Sequence, residues 1–151
     1  MKALAALAFC FASGAALAQE VGGCDWRAAA AAIAEPWEEN TRTFANGTVR
    51  LALLDTIEPA NGSFHLLILS PPLGETGERQ CRVISREGGE GWAGLMFAQL
   101  EAGYDPERGL IFSLPGMIYL PEKTFANSTL LTVVLNQSTG EITVSQKLGR
   151  E

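Results

Sequence analysis

Thr129-Leu130-Leu131-Thr132-Val133-Val134-Leu135-Asn136-Gln137-Ser138-Thr139-Gly140-Glu141-Ile142-Thr143-Val144-Ser145-Gln146 is the stretch that decides the fold. An apolar run meets a five-residue turn ending in glycine. Beyond it, Ile142 and Val144 alternate with Thr143 and Ser145. A period of two puts alternate side chains on opposite faces of an extended chain, the mark of a half-buried strand. Two such runs closed by turn residues predict a β-hairpin. The same design occurs twice more. Glu58-Pro59-Ala60-Asn61-Gly62 separates Val49–Thr56 from Ser63–Leu69, and Asp105-Pro106-Glu107-Arg108-Gly109 precedes Leu110–Leu114. Each turn suits a type I geometry closed by a left-handed glycine. Arg79–Ser85 adds a further strand. The expected fold class is mainly β: antiparallel hairpins forming a small sandwich or barrel, with one N-terminal helix packed on the sheet.

That helix is expected over Trp26–Ala34. Asp25 can cap it and Pro36 limits it, while Trp26, Ala29, Ala30 and Ile33 share one face. Residues 95–102 read two ways. Alternation from Met96 to Tyr104 favours a strand, whereas the residue types are good helix formers with Gly103 as a stop. The turn that follows tips the reading to a strand. Pro115 and Pro121 should confine the segment between them to an edge or a bulged strand, open to strand addition by a partner. Arg42-Thr43-Phe44-Ala45-Asn46-Gly47-Thr48 is echoed by Lys123-Thr124-Phe125-Ala126-Asn127-Ser128-Thr129. The echo suggests a repeated unit: an inward Phe, an Asn-Gly or Asn-Ser turn, then a strand.

Residues 1–18 read as a cleaved signal peptide, with Lys2, the apolar run Ala3–Ala12 and the cleavage signal Ala16-Leu17-Ala18. Residues 19–151 then form a single β-rich domain in a periplasmic or secreted setting. Cys10 leaves with the leader, so Cys24 and Cys81 are expected to form a disulfide, worth about 4 kcal/mol for a loop of that size. A competing reading takes Val21-Gly22-Gly23-Cys24 as a lipobox, with a lipid anchor at Cys24. Asn46, Asn61, Asn127 and Asn136 head Asn-x-Ser/Thr triplets, which read as turn chemistry outside a glycosylating pathway. The net charge is −6, and no basic run offsets it, which excludes nucleic-acid binding. No apolar run beyond the leader reaches the roughly 20 residues of a spanning helix.

No residue cluster demands a particular chemistry. His65 is the only histidine, in a strand apolar on both faces, and reads as a hydrogen-bonded structural residue. Two cysteines and one histidine are too few for structural zinc, and no cofactor motif occurs. Glu38-Glu39 and the pair Glu101 with Asp105 are acid–base candidates by proximity alone. Gly88-Gly89-Glu90-Gly91-Trp92 lacks the ending of a phosphate loop and reads as a mobile connection bearing an aromatic. Trp92, Tyr104 and Tyr119 are the candidate binding residues: Trp92 on its loop could stack on a sugar or fill a partner's pocket, and Tyr104 and Tyr119 with Trp37 would line a cavity if the sheet closed as a barrel. The expected function is a non-catalytic binding or protein-interaction module, its partner an unidentified protein or small ligand. The alternatives are a carboxylate-dependent hydrolase of cell-wall or sugar polymers and a structural envelope component.

Overall fold

The computed structural model describes residues 19–150. It is built from two five-stranded antiparallel sheets. The first contains β1 (Gln19–Gly23), β2 (Thr41–Phe44), β3 (Val49–Asp55), β4 (Phe64–Leu73) and β5 (Arg79–Arg86), in the order β1-β5-β4-β3-β2. The second contains β6 (Gly94–Leu95), β7 (Glu101–Asp105), β8 (Gly109–Leu120), β9 (Phe125–Leu135) and β10 (Ile142–Leu148). Its order is β10-β9-β8, with β6 and β7 sharing the remaining edge of β8. The quoted hairpin is β9–β10, in register from Leu135↔Ile142 to Thr129↔Leu148. The leader and the cleavage signal lie outside the described residues.

The two sheets face each other across one core. Val49, Leu51 and Leu53 of β3 meet Phe112 and Leu114 of β8 and Leu131 and Val133 of β9, all buried. Phe44 stacks edge-on against Phe112 with centroids 4.9 Å apart, a favoured aromatic geometry. Strand β8 alternates buried and half-buried residues, as a sheet with one open face requires. Strand β3 does not. Its run Leu51-Ala52-Leu53-Leu54 is buried throughout because both of its faces are covered.

The cover on the outer face is residues 24–34, and here the expected helix fails. Among the described residues no α-helix forms. Asp25 does cap Arg27 N, but the chain makes two single 3-10 turns, Trp26–Ala28 and Ala30–Ala32, broken by extended Ala29. Nine residues are too few for a helix to hold itself, so tertiary contacts decide. An alanine face has little area to bury, whereas extended chain lets Ile33 bridge Leu54 and Ala34 N donate to Leu53 O. Trp26 is left exposed. Ala28 and Ile33 cover Ala52, Leu54, Leu67 and Val83, a second small core outside the main one. The Cys24–Cys81 disulfide, Cα atoms 5.4 Å apart, fastens this segment to β5.

Residues 95–102 are neither one strand nor a helix. Strand β6 stops at Leu95, Phe97–Gln99 makes a 3-10 turn, and β7 starts at Glu101. Arg42 holds the turn by donating to Leu100 O at 3.0 Å and Ala98 O at 3.3 Å, with its guanidinium over the Phe97 ring. This break explains Pro115. The expectation of an edge strand is not met, because β8 is central, paired with β9 along its whole length. Pro115 O accepts from Met96 N, so the missing Pro115 N–H faces the same side, where β6 and β7 part and no acceptor is presented.

Gly109 and Gly140 close their turns at φ 100° and 77°, as expected. Gly62 does not. Ile57 takes the left-handed position at φ 69°, and Gly62 instead lies against Gly91, where a Cβ would collide with the Gly62 carbonyl. The echo is not a structural repeat. Asn46-Gly47 turns, with Gly47 at φ 83°, but Asn127-Ser128 runs inside β9. Serine lacks the freedom that lets glycine adopt that φ.

Candidate functional site

Two polar constellations stand on this frame, and they touch. The first lies under the cover segment. His65 on β4 and Ser85 on β5 point to the outer face of the first sheet, with Nδ1 and Oγ 2.9 Å apart. Arg27 donates to Ser85 Oγ at 2.9 Å and to Gly89 O at 3.2 Å. Its Nε and Nη2 grip the Asp25 carboxylate, the closest pair at 2.7 Å. This grip holds the Asp25 carboxyl below the usual carboxylate range and raises Arg27. Burial, then the facing Arg27 charge, pushes His65 down to about 4. Ser85 Oγ accepts from Arg27, which can only donate, and shares one further hydrogen bond with Nδ1 of the neutral His65 imidazole.

A serine beside an imidazole nitrogen is the arrangement of a nucleophile and its base. Here both atoms are closed off from solvent. Ser85 is 1% exposed and His65 2%, with the cover segment above them. The chain Asp25–Arg27–Ser85–His65 instead ties the cover to β4 and β5. His65 is the structural, hydrogen-bonded residue that the sequence implied.

The second constellation is a cleft of about 310 Å³ at one end of the molecule. Three connections build it. The β3–β4 loop brings Pro59, Asn61 and Gly62, the end of β5 and the turn after it bring Arg86 and Glu90, and the end of β8 with the residue past it brings Tyr119 and Pro121. Arg86 and Glu90 are bound by backbone, Arg86 N to Glu90 O at 2.6 Å, and by charge at 3.5 Å. The close Gly62–Gly91 contact, with Gly91 N donating to Gly62 O at 2.8 Å, draws two of the loops together. Arg27, through Gly89 O, braces the same turn from behind. The Gly88–Trp92 segment is therefore pinned at both ends rather than a free tip.

The candidate binding residues do not converge. Trp92 is fully buried in the main core, its Nε1 donating to Gln146 Oε1 at 3.0 Å, and presents no surface to a ligand. Tyr104 is 67% exposed on β7, opposite Leu110. Tyr119 lies opposite Ala126, about 30 Å along β8 from Leu110. The sheets do not close into a barrel around a cavity, and the space between them is filled by the core. Only Tyr119 lines the cleft. Sequence reasoning missed Arg86 and Pro59 as lining residues, since Arg86 stands in no motif and Pro59 signals only a turn. The Gly-rich segment was the available signal, and it supplies Glu90.

Comparison with protein-family models, with curated proteins and with solved structures gave no match. Among the described residues no group of three His, Cys, Asp or Glu can hold a metal ion, and no helix is long and apolar enough to cross a membrane.

Proposed function

We propose that this protein is an exported, non-catalytic recognition module that takes a small polar ligand in the loop cleft. The observation that carries the reading is the convergence of Tyr119 with the Arg86–Glu90 pair and Asn61. An aromatic face, paired donors and acceptors, and a volume at the lower end of small-molecule sites suit a sugar ring or a short peptide end. Sites of this kind stand on loops held by a rigid scaffold. The Cys24–Cys81 bridge fits an oxidising compartment and occupies the sulfur that a lipid anchor at Cys24 would need.

The geometry lends less to a carboxylate hydrolase. Glu101 and Asp105 stand at the two ends of β7, about 14 Å apart, beyond the roughly 5–9.5 Å that paired glycosidase carboxylates span. Glu38 and Glu39 are exposed in a turn, and the cleft itself holds a single carboxylate, Glu90. The test is titration of muropeptide fragments and short polysaccharide oligomers, followed by NMR shifts. Shifts should centre on Asn61, Arg86 and Tyr119, and Tyr119→Ala should weaken binding about tenfold or more. Undiminished binding by Tyr119→Ala and Arg86→Ala together rejects the cleft. Turnover of any probe rejects the non-catalytic reading.

A further inference from the structure

Two arginines reach the turn after β5, and they are engaged differently. Arg27 commits its guanidinium to Asp25, Ser85 and Gly89 O. Arg86 commits nothing. Its side chain is only 20% exposed and lines the loop cleft, yet among the described residues no hydrogen bond engages its guanidinium. Its one charge contact, Nη1 to Glu90 Oε2 at 3.5 Å, exceeds the about 2.7–2.9 Å of a charge-assisted hydrogen bond. The Asn61 amide and the Tyr119 hydroxyl, in the same cleft, also have no hydrogen-bond partner among the described residues. A guanidinium largely withdrawn from water with its donors unmatched is a place for an acceptor.

Resting on that reading of the cleft, we infer that its ligand is an α-amino acid in zwitterionic form, bearing an apolar side chain. A carboxylate is the planar acceptor that matches a guanidinium fork. Alone, it would also face Glu90, in a chain of net charge −6. An ammonium alone would face Arg86. In an α-amino acid one carbon carries both groups, with about 2.5 Å between the nitrogen and the carboxyl carbon. Laid antiparallel to the Arg86–Glu90 pair, it replaces one stretched ion pair by two, and every charge meets its opposite. The same arrangement rejects molecules that bear only one of the charges. Glu90 repels a phosphate or a sugar acid, and Arg86 repels a simple amine.

The class of side chain follows from Ile57. It stands two residues before Pro59, within about 7 Å of that wall of the cleft from Cα to Cα. It is 74% exposed and holds φ at 69°, a conformation rare for a β-branched residue. The loop locks it there: Ile57 N donates to Asp55 Oδ1 at 2.8 Å, and Thr56 Oγ1 donates to Glu58 O at 3.0 Å. Glycine or asparagine would relieve the strain. The fold thus holds an apolar side chain in water, under strain, beside a polar cleft, which is where a ligand's apolar group finds a contact. Pro59 and the Tyr119 ring add two further apolar surfaces, and about 310 Å³ accommodates a molecule the size of leucine.

The test is titration of the isotope-labelled full chain with both enantiomers of leucine, glycine, N-acetyl-leucine and leucinamide, to about 10 mM, with affinities read from amide shifts. Leucine should move Asn61, Arg86 and Tyr119, and bind about tenfold or more tighter than glycine or either blocked analogue. Glu90→Gln should weaken leucine about tenfold yet leave N-acetyl-leucine bound as tightly or tighter. Arg86→Gln should weaken leucine and spare leucinamide. A merely structural role for either residue would weaken every probe alike, and overturns the inference. Ile57→Asn should bring leucine towards the affinity of glycine without lowering the melting temperature. Silence of both leucine enantiomers to about 10 mM overturns the inference, as does a blocked analogue or glycine that matches leucine, or shifts centred outside the cleft. Neutral oligosaccharides that move the same three amides while leucine is silent would overturn the zwitterion and leave the cleft standing. Silence of the cleft towards every probe would overturn both.

Discussion

The outer face of the first sheet is closed and that of the second is open, and the difference lies in what each chain segment can supply. Over β3, β4 and β5, residues 24–34 bring Ala28 and Ile33 onto Ala52, Leu54, Leu67 and Val83. The disulfide and the Asp25–Arg27–Ser85–His65 chain fix that cover in place. Over β8 and β9 the described chain offers no such segment, and the outward residues mix Ile111, Leu130 and Val134 with Ser113 and Thr132. One face therefore stores stability within the monomer. The other leaves its outward side chains half-exposed. The polar chain under the cover keeps its Ser–His contact buried. Its hydrogen bonds are spent on holding two strands and a surface segment together, and loss of any one member strands a buried donor or acceptor.

The comparison breaks most sharply at the disulfide. Replacing Cys24 and Cys81 with serine frees the cover from β5 and relaxes the unfolded chain, so stability should fall by about 4 kcal/mol. Urea denaturation measures it, and hydrogen exchange should then rise at the amides of residues 25–34 before those of β8 and β9. Equal protection across both sheets would deny the cover its separate attachment.

The next effect is that of pH. His65 titrates at about 4 when folded and near 6.5 when unfolded, so the unfolded state binds the extra proton as pH falls between these values. Stability is full above about 6.5 and drops by about 3 kcal/mol on the way to 4. Arg27 faces the imidazole as a cation, with Asp25 and Asp55 as the opposing anions. The lowered Asp25 carboxyl acts in a separate, more acid window, losing its contribution only as pH falls through its own folded value. Denaturation midpoints of the parent and His65→Gln should therefore converge as pH falls from 6.5 to 4. Parallel curves would place His65 outside the linkage.

How much of this was legible in the sequence depended on whether a local rule was also the winning one. Strands β3, β4, β5, β9 and β10 were readable because alternation, apolar runs and turn residues agreed. The disulfide was readable because Cys10 was expected to leave with a cleaved leader, which pairs Cys24 with Cys81. Trp26–Ala34 misled because Asp25 does cap, yet the contacts Ile33 makes with β3 are long-range and leave no local trace. Pro115 misled for the same reason. The interruption between β6 and β7 that accommodates it depends on Arg42, more than fifty residues away. Of the candidate site, Tyr119 and the Gly-rich segment were visible. Arg86 was not, since a lone arginine at a strand end carries no pattern.

The smallest effect sharpens the comparison most, because it uses one substitution on both faces. Ile33→Val removes a methylene that contacts the small outer core, and should cost about 1 kcal/mol. Ile111→Val removes the same group from the open face. Ile111 lies half-buried on a face that no segment of the described chain covers, so the cost there should stay under about 0.5 kcal/mol. Thermal melts of both variants read the difference directly. Equal costs would mean that the two faces are covered alike, and the contrast between them would fall.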